Sequence, residues 1–367
     1  MRLLFCIKAM NNPGGGAERV LAEVTGGLAA RGHDVVVLSY DPPGGSSFYP
    51  LDSRVKRIEL GVGSTTDRAT VYSTLCRIKA LRVSVLDCDP DVVIGFMHSM
   101  FIPLGLALLG TSIPMIASEH IVPEHYRSRP LEKILLRLVP LLAKRITCVS
   151  DQARSSYSTS LQKKMVSVVN PVNIAVCGQA DVSGLHRPRK VLLTVGRLDA
   201  QKDHITLIEA FAEIAPQFPV WDLRIVGEGK LRQKLEEKVT ELGLGKRVLL
   251  PGTIRDIAVE YLSAQLFVQP SRYESFGLTI AEALAHGLPA IGFVDCQGTN
   301  QLIQPGLNGD LAKGSGNRAA NLAQTLTTLM RDDGRRVCLS RKSADILEEY
   351  SLENVLSHWE QIISEVR

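Results

Sequence analysis

The chain has 367 residues, long for one hydrophobic core and comfortable for two domains. Apolar residues make up 45% and charged residues 22%, an ordinary soluble α/β composition, and a net charge of +4 is too small to suggest a nucleic-acid binder. Cys6, Cys76, Cys88, Cys148, Cys177, Cys296 and Cys338 are odd in number and form no CxxC pair, so they read as reduced thiols filling the core rather than as disulfides or zinc ligands. No apolar run reaches the roughly 18 residues of a membrane span, so any membrane contact is expected to be peripheral. The opening MRLLFCIKAM reads as a first strand rather than a signal peptide.

Leu3 to Ile7 is the first expected strand. A loop from Asn11 to Gly16 follows, then a helix from Ala17 to about Arg31 with Val20, Leu21, Val24 and Leu28 at helical spacing and Gly32 as its stop. Strand, glycine-rich loop and helix suit a phosphate, because glycines let the backbone approach closely and the helix end offers free amides. GGGAER is neither a dinucleotide GxGxxG nor a P-loop, and a plain tight turn remains an equal reading. Strands then recur at Asp34–Ser39, Arg54–Leu60, Asp91–Phe96, Pro114–Ser118 and Arg145–Val149. Helical patterns separate most of them, the rhythm of a parallel sheet whose ligands bind beyond the carboxyl ends of the strands. His98 and the pair Glu119-His120 fall at such ends. His120 is the leading active-site histidine, with a structural histidine as the alternative; Glu119 reads equally well as a surface residue.

Leu131 to Ile146 reads as one basic amphipathic helix kinked at Pro140. Lys133, Arg137 and Lys144 form a cationic stripe, Leu135, Leu138 and Leu142 the apolar remainder, and Arg127 and Arg129 precede it. The stripe is either a solvated face or a site for the pyrophosphate of a polyprenyl-linked acceptor at a membrane surface.

Residues 173 to 189 lack periodicity and are expected to be a linker. A strand from Val191 leads to Gly196-Arg197 and Lys202, a cationic pair facing an anion or two plain surface cations. Further helices are expected at His204–Ala215, Lys230–Leu242 and Asp256–Ser263, and strands at Asp222–Val226, Val248–Leu250 and Pro289–Phe293. Gly227 and Glu228 follow the first of these strands; Arg255 lies at a helix start, where an exposed cation is equally ordinary. The stretch PSRYESFGLTIAEALAHG, Pro270 to Gly287, ends a strand and opens a helix. Glu274 stands in the turn, Glu282 two turns into the helix, and the amides of Phe276, Gly277 and Leu278 lie at the helix start, which carries roughly +0.5 of a charge. Two carboxylates for hydroxyls around an end that suits phosphate ask for a nucleotide-sugar. A final helix is expected at Leu352–Val366, with Trp359, Ile362 and Ile363 inward.

GGAER, SEH, GRL…K, GEG and ESFGLTIAE, in this order, resemble the motifs of retaining glycosyltransferases of family four, and more closely those of bacterial lipid-linked oligosaccharide and surface-polysaccharide assembly. The resemblance implies the GT-B fold: two Rossmann-like, doubly wound α/β domains facing across a cleft. Residues 1–172 would be the acceptor side, with about 351–367 crossing back to it, and 173–350 the donor domain. It implies that Gly15, Gly16 and His120 lie at the reaction centre, and that Arg197 and Lys202 hold the diphosphate. Glu274 would bind the sugar and Glu282 the ribose, with Gly227, Glu228, Arg255, Phe276, Gly277 and Leu278 lining the donor site. Arg127, Arg129, Lys133 and Arg137 would meet the acceptor. No cofactor or metal is expected, since the chain reads as lacking a D-x-D motif and two cations supply the neutralising charge. UDP-linked N-acetylhexosamine is the expected donor ahead of GDP-mannose, and the expected location is cytoplasmic, at the inner face of the membrane. A small soluble acceptor, a GT-B-type nucleotide-sugar epimerase and a non-catalytic partner are the alternatives.

Overall fold

A computed structural model describes residues 1–11, 15–65, 70–127, 129–172, 178–343 and 345–367, with the side chains of 345 and 346 left aside. The chain divides into two compact units, Met1–Pro171 with Leu352–Arg367, and Val172–Ser351.

The first unit holds seven strands: β1 (Arg2–Ile7), β2 (Asp34–Ser39), β3 (Lys56–Glu59), β4 (Val92–Phe96), β5 (Met115–Ser118), β6 (Arg145–Cys148) and β7 (Met165–Ser167). All pair in parallel, in the order β3-β2-β1-β4-β5-β6-β7. RLLFCI, DVVVLS and VVIGF are buried almost end to end, as strands covered on both faces must be. The helices are α1 (Gly16–Ala30), α2 (Val71–Cys88), α3 (His98–Ala107), α4 (Pro130–Leu136), α5 (Val139–Leu142), α6 (Asp151–Ser155) and α7 (Thr159–Gln162). Thr70 starts α2 with a reciprocal capping box to Ser73. From β3 through β6 each crossover moves the same way across the sheet, so right-handedness sets α2, α3 and α4–α5 on one face. The Arg82 guanidinium donates to the Ala107 and Leu109 carbonyls, tying α2 to the end of α3, and Gly105 lets α3 approach Leu142 of α5.

The single kinked helix expected over 131–146 is instead two short helices and a strand. α4 stops at Leu136, α5 starts at Val139 with Pro140 in its first turn, where the missing amide is harmless, and Arg145 already pairs in β6. Lys144 therefore stands off the stripe.

The second unit holds β8 (Lys190–Val195), β9 (Trp221–Val226), β10 (Val248–Gly252), β11 (Leu266–Val268), β12 (Ala290–Phe293) and β13 (Gly309–Ala312), parallel in the order β10-β9-β8-β11-β12-β13. Its helices are α8 (His204–Ile214), α9 (Arg232–Glu241), α10 (Ile257–Ser263), α11 (Leu278–Ala285), α12 (Gln297–Leu302), α13 (Arg318–Arg331) and α14 (Asp333–Ser340). Leu192, Phe211, Trp221, Leu266, Phe293 and Leu326 are among its core. Part of the expected linker, 173–177, lies outside the described residues. The rest is packed rather than loose: Ala180 and Val182 are buried, and the fully buried Arg336 guanidinium donates to the Val182 and Ser183 carbonyls.

The last helix, α15 (Leu352–Val366), belongs to the first unit. Trp359 reaches Phe5 and Phe96, each at 6.1 Å between ring centres. Gly27 of α1 leaves room for Leu356, and Arg31 pairs with Glu360 at 2.6 Å.

Candidate functional site

Both sheets reverse strand order once, between β1 and β4 and between β8 and β11, and such reversals open a crevice at the carboxyl ends of the strands. In the second unit the two loops at that reversal are 196–203, after β8, and 269–277, after β11. They are stitched together: Arg272 donates its amide to the Gln201 carbonyl (2.9 Å), and the Gln201 side-chain amide donates to the Tyr273 carbonyl (3.0 Å). The Asp199 carboxylate accepts from the amides of Gln201 and Lys202, turning the chain so that Lys202 points inward. Its ammonium lies 2.5 Å from Glu274 Oε1, with the side chains only 12% and 8% exposed. That oxygen also accepts from the Ser271 hydroxyl (2.5 Å) and the Gln269 amide (3.2 Å). Lys202 and Glu274 are therefore partners of each other in this state, where separate contacts to diphosphate and sugar were expected. Arg197 is 60% exposed, with Asp199 at 3.4 Å, and is available to an anion from solvent.

Gly277, at φ +93, caps α11 without a side-chain hydrogen bond, so the helix opens on backbone amides alone, with Leu278 first. Gly298 of α12 presses against this turn, where a Cβ would come within 2.8 Å of the Glu274 Cβ and 2.9 Å of the Phe276 amide nitrogen. Phe276 is buried against Tyr350. Four residues into the helix, Glu282 is buried and accepts from the Tyr261 hydroxyl of α10 at 2.8 Å. The glycines of GEG serve close backbone approach. Gly227, at φ +142, has the Gly196 carbonyl where a Cβ would sit, and the Leu198 amide donates to the Glu228 carbonyl at 2.9 Å. The Glu228 side chain turns outward to Arg232 (2.6 Å), which holds its carboxyl below the usual range. Arg255 is exposed in the short connection from β10 to α10.

Sequence reasoning missed several members of this site. Gln269 and Ser271 are polar residues fully buried at a strand end, and that placement is the signal that would have found them. His204, first residue of α8, is buried beside the Gly196 and Arg197 backbone, and burial pushes its imidazole down to about 4. Tyr261 gives no signal without the fold.

In the first unit, Gly15 caps α1 and Gly16 begins it; the loop residues 12–14 lie outside the described residues. His120 follows β5, stacked on Phe96 at 4.7 Å. The Ser118 hydroxyl accepts from Thr147 (2.9 Å) and lies 2.9 Å from His120 Nε2. Burial holds this imidazole near 4, against a smaller opposing effect of Asn170, so at neutral pH it is an uncharged donor. Glu119 is buried, not on the surface: it accepts from the Tyr126 hydroxyl (2.6 Å) and the Ile121 amide (3.2 Å), and desolvation raises its carboxyl to about 7. His98 follows Met97, itself at φ +68, and faces Glu132 of α4 at 3.1 Å. It anchors that helix, and burial pushes it to about 4. Arg127 and Arg129 precede α4, Lys133 lies within it and Arg137 caps it, all exposed. Arg129 is held by Glu132 at 3.3 Å.

The chain carries two D-x-D spacings, Asp87–Asp89 and Asp89–Asp91, where none was expected. Asp89 caps the end of α2 and Asp91 accepts from the Arg2 amide, at the opposite end of the strands from the loops above. Among the described residues no group of three or more His, Cys, Asp or Glu side chains is arranged to hold a metal ion.

Comparison with known proteins agrees with this architecture. The family described as Glycosyltransferase Family 4 matches residues 14–176, and that described as Glycosyl transferases group 1 matches residues 179–346. Over the whole chain it is 25% identical to the GalNAc-alpha-(1->4)-GalNAc-alpha-(1->3)-diNAcBac-PP-undecaprenol alpha-1,4-N-acetyl-D-galactosaminyltransferase of Campylobacter jejuni, covering 99% of that protein. It is also 25% identical to an uncharacterized glycosyltransferase of Haemophilus influenzae, over 95% of this chain and 96% of that one. Among solved structures, sucrose-phosphate synthase from Thermosynechococcus elongatus superposes with a TM-score of 0.85 at 20% identity, covering 100% of this chain and 99% of that one. HepE from Anabaena, solved with UDP and glucose, gives 0.79 at 18%, covering 99% of each chain. With two family matches side by side over nearly its whole length, and a fold shared with the solved structures above, the chain belongs to the GT-B glycosyltransferases of the family-four type and is a hexosyltransferase.

Proposed function

We propose that the protein transfers an N-acetylhexosamine, with retention of anomeric configuration, from a UDP-sugar to a saccharide linked through pyrophosphate to a polyprenol. The observation that carries the donor half is the Lys202–Glu274 pair beside the opening of α11. An arriving diphosphate competes with Glu274 for the ammonium, and α11's amides and Arg197 add positive charge from two further directions. Glu274, released, accepts from sugar hydroxyls, while Glu282, oriented by Tyr261, accepts from the ribose. In the transfer the bond from anomeric carbon to phosphate oxygen breaks and a bond to the acceptor oxygen forms on the same face. The acceptor proton passes to the departing phosphate, and UDP leaves. Arg197 and Lys202 offset the charge that grows on that diphosphate, so the reaction needs no metal.

The acceptor half rests on Arg127, Lys133 and Arg137, exposed along and beside α4, with Arg129 at its start. It is further supported by the lipid-linked substrate in the printed name of the Campylobacter relative. Clustered cations on a helix suit a pyrophosphate and support a peripheral position, proposed here at the cytoplasmic face of the membrane. Charge reversal at Lys133 and Arg137 tests this: the KM for a polyprenyl-pyrophosphate acceptor should rise about tenfold or more, with the donor KM unchanged. Unchanged acceptor kinetics would overturn this half and leave a soluble acceptor as the reading.

A further inference from the structure

We propose that the outer face of the α2, α3 and α4–α5 layer is a docking surface for an anionic phospholipid bilayer. The inference deepens the lipid-linked-acceptor reading, but its test needs no acceptor. Of the 16 large apolar side chains exposed among the described residues, 11 lie on this one helical layer. On α2, Tyr72, Leu75, Val83 and Leu86 follow one another at helical spacing, with Lys79 completing the row, and Tyr72 is 78% exposed. Leu106 and Leu109 continue the face at the end of α3, where Arg82 holds the two helices together. On α4 and α5, Leu131, Ile134, Leu138 and Leu141 are spaced three and four apart, and Leu141 is 83% exposed. The buried residues of α4 and α5 are Leu136 and Val139. A helical layer with its apolar stripe turned inward as well as outward has two partners, and the sheet is only one of them.

The charges say what the second partner is. Lys79, Arg127, Lys133 and Arg137 stand exposed among these apolar side chains. Among the acids on the layer, Glu132 is occupied by His98 and Arg129, and Asp87 and Asp89 sit at the far end of α2. Packing two copies of this face together would set like charges against one another, whereas an anionic bilayer accepts both the apolar side chains and the cations. No helix of the described residues is long and apolar enough to cross a membrane, so the contact is one of lying on the surface.

The test is co-sedimentation of the full chain with vesicles of phosphatidylglycerol and phosphatidylcholine, against phosphatidylcholine alone, at low and high salt. The protein should bind the anionic vesicles, release with salt and ignore the neutral ones. Leu131→Ser with Leu141→Ser, and separately Tyr72→Ser with Leu75→Ser, should each weaken binding about tenfold with unchanged circular dichroism, because these side chains are exposed. Lys79→Glu should do the same, and more so at low salt. Absence of binding to anionic vesicles, or variants that bind as well as the parent, would overturn the proposal. So would a concentration-dependent dimer that the serine variants abolish, which would make the partner a second copy. A protein that binds bare vesicles yet transfers no sugar to a polyprenyl acceptor would sink the acceptor reading and leave this one standing.

Discussion

Replacing Lys202 with methionine tests whether the Lys202–Glu274 pair organises the donor loops. The ammonium and carboxylate are 2.5 Å apart and largely withdrawn from solvent. Removing one member of a buried pair costs about 3–5 kcal/mol when nothing replaces it. Here Glu274 keeps the Ser271 hydroxyl and the Gln269 amide on the same oxygen, which lowers the expected loss to about 2–3 kcal/mol. Glu274→Gln retains a carbonyl acceptor and should cost about 1–2 kcal/mol. With both charges gone, the double variant should lose less than the sum by about 1–2 kcal/mol. The chain's two tryptophans make the assay clean, since Trp221 and Trp359 lie in different units. In a Trp359→Phe background, urea unfolding followed by Trp221 fluorescence reports Val172–Ser351 alone. UDP should raise the midpoint of the parent and leave that of Lys202→Met unmoved. Losses that add to within about 0.5 kcal/mol, or a Lys202→Met protein still stabilised by UDP, would refute the reasoning.

Tyr261→Phe removes the hydroxyl that orients Glu282 and should raise the donor KM about fivefold while kcat stays within twofold; an equal fall in kcat would make Tyr261 part of the chemistry. His98, His120 and His204 are held near 4, below the 6.5 of a free imidazole. The stability they contribute is complete above about pH 6.5 and is lost as pH falls through 4, by about 3 kcal/mol for each at most; a stability curve flat from pH 7 to 4.5 would contradict this. Glu119, raised from 4.5 to about 7, works the other way, its contribution being lost as pH rises through 7. Glu119→Gln should therefore steepen the rise in stability between pH 4.5 and 7, where the wild-type carboxyl opposes the histidines, and a variant with the parent's pH dependence would remove Glu119 as a contributor.

Fold and site differ in how far they are local. β2 and α15 have the ends expected of them, because apolar runs and helical spacing are properties of adjacent residues. The stretch 131–146 misleads for the same reason. Its helical period runs on through Pro140 and Ala143 and overlaps the strand expected from Arg145, and the pairing of Arg145 and Ile146 with Ile116 and Ala117 of β5 decides for the strand. β13 escapes notice as GDLA, half buried and opening on a glycine. Lys202 and Glu274 each carry a readable motif, but their pairing across 72 residues is a fact of the β8–β11 neighbourhood. Glu119 shows the converse: a charged residue beside a histidine reads as exposed, and only the docking of Tyr126 onto it makes a buried carboxyl.

The central claim is sugar transfer from a nucleotide donor. The direct measurement is mass analysis of products after incubation with a panel of nucleotide-sugars and a short-chain polyprenyl-pyrophosphate-linked sugar, in the presence of EDTA. The account predicts addition of one N-acetylhexosamine from a UDP donor to the lipid-linked saccharide, with equimolar UDP released and no added metal. Binding of nucleotide-sugars without transfer to any acceptor would contradict it.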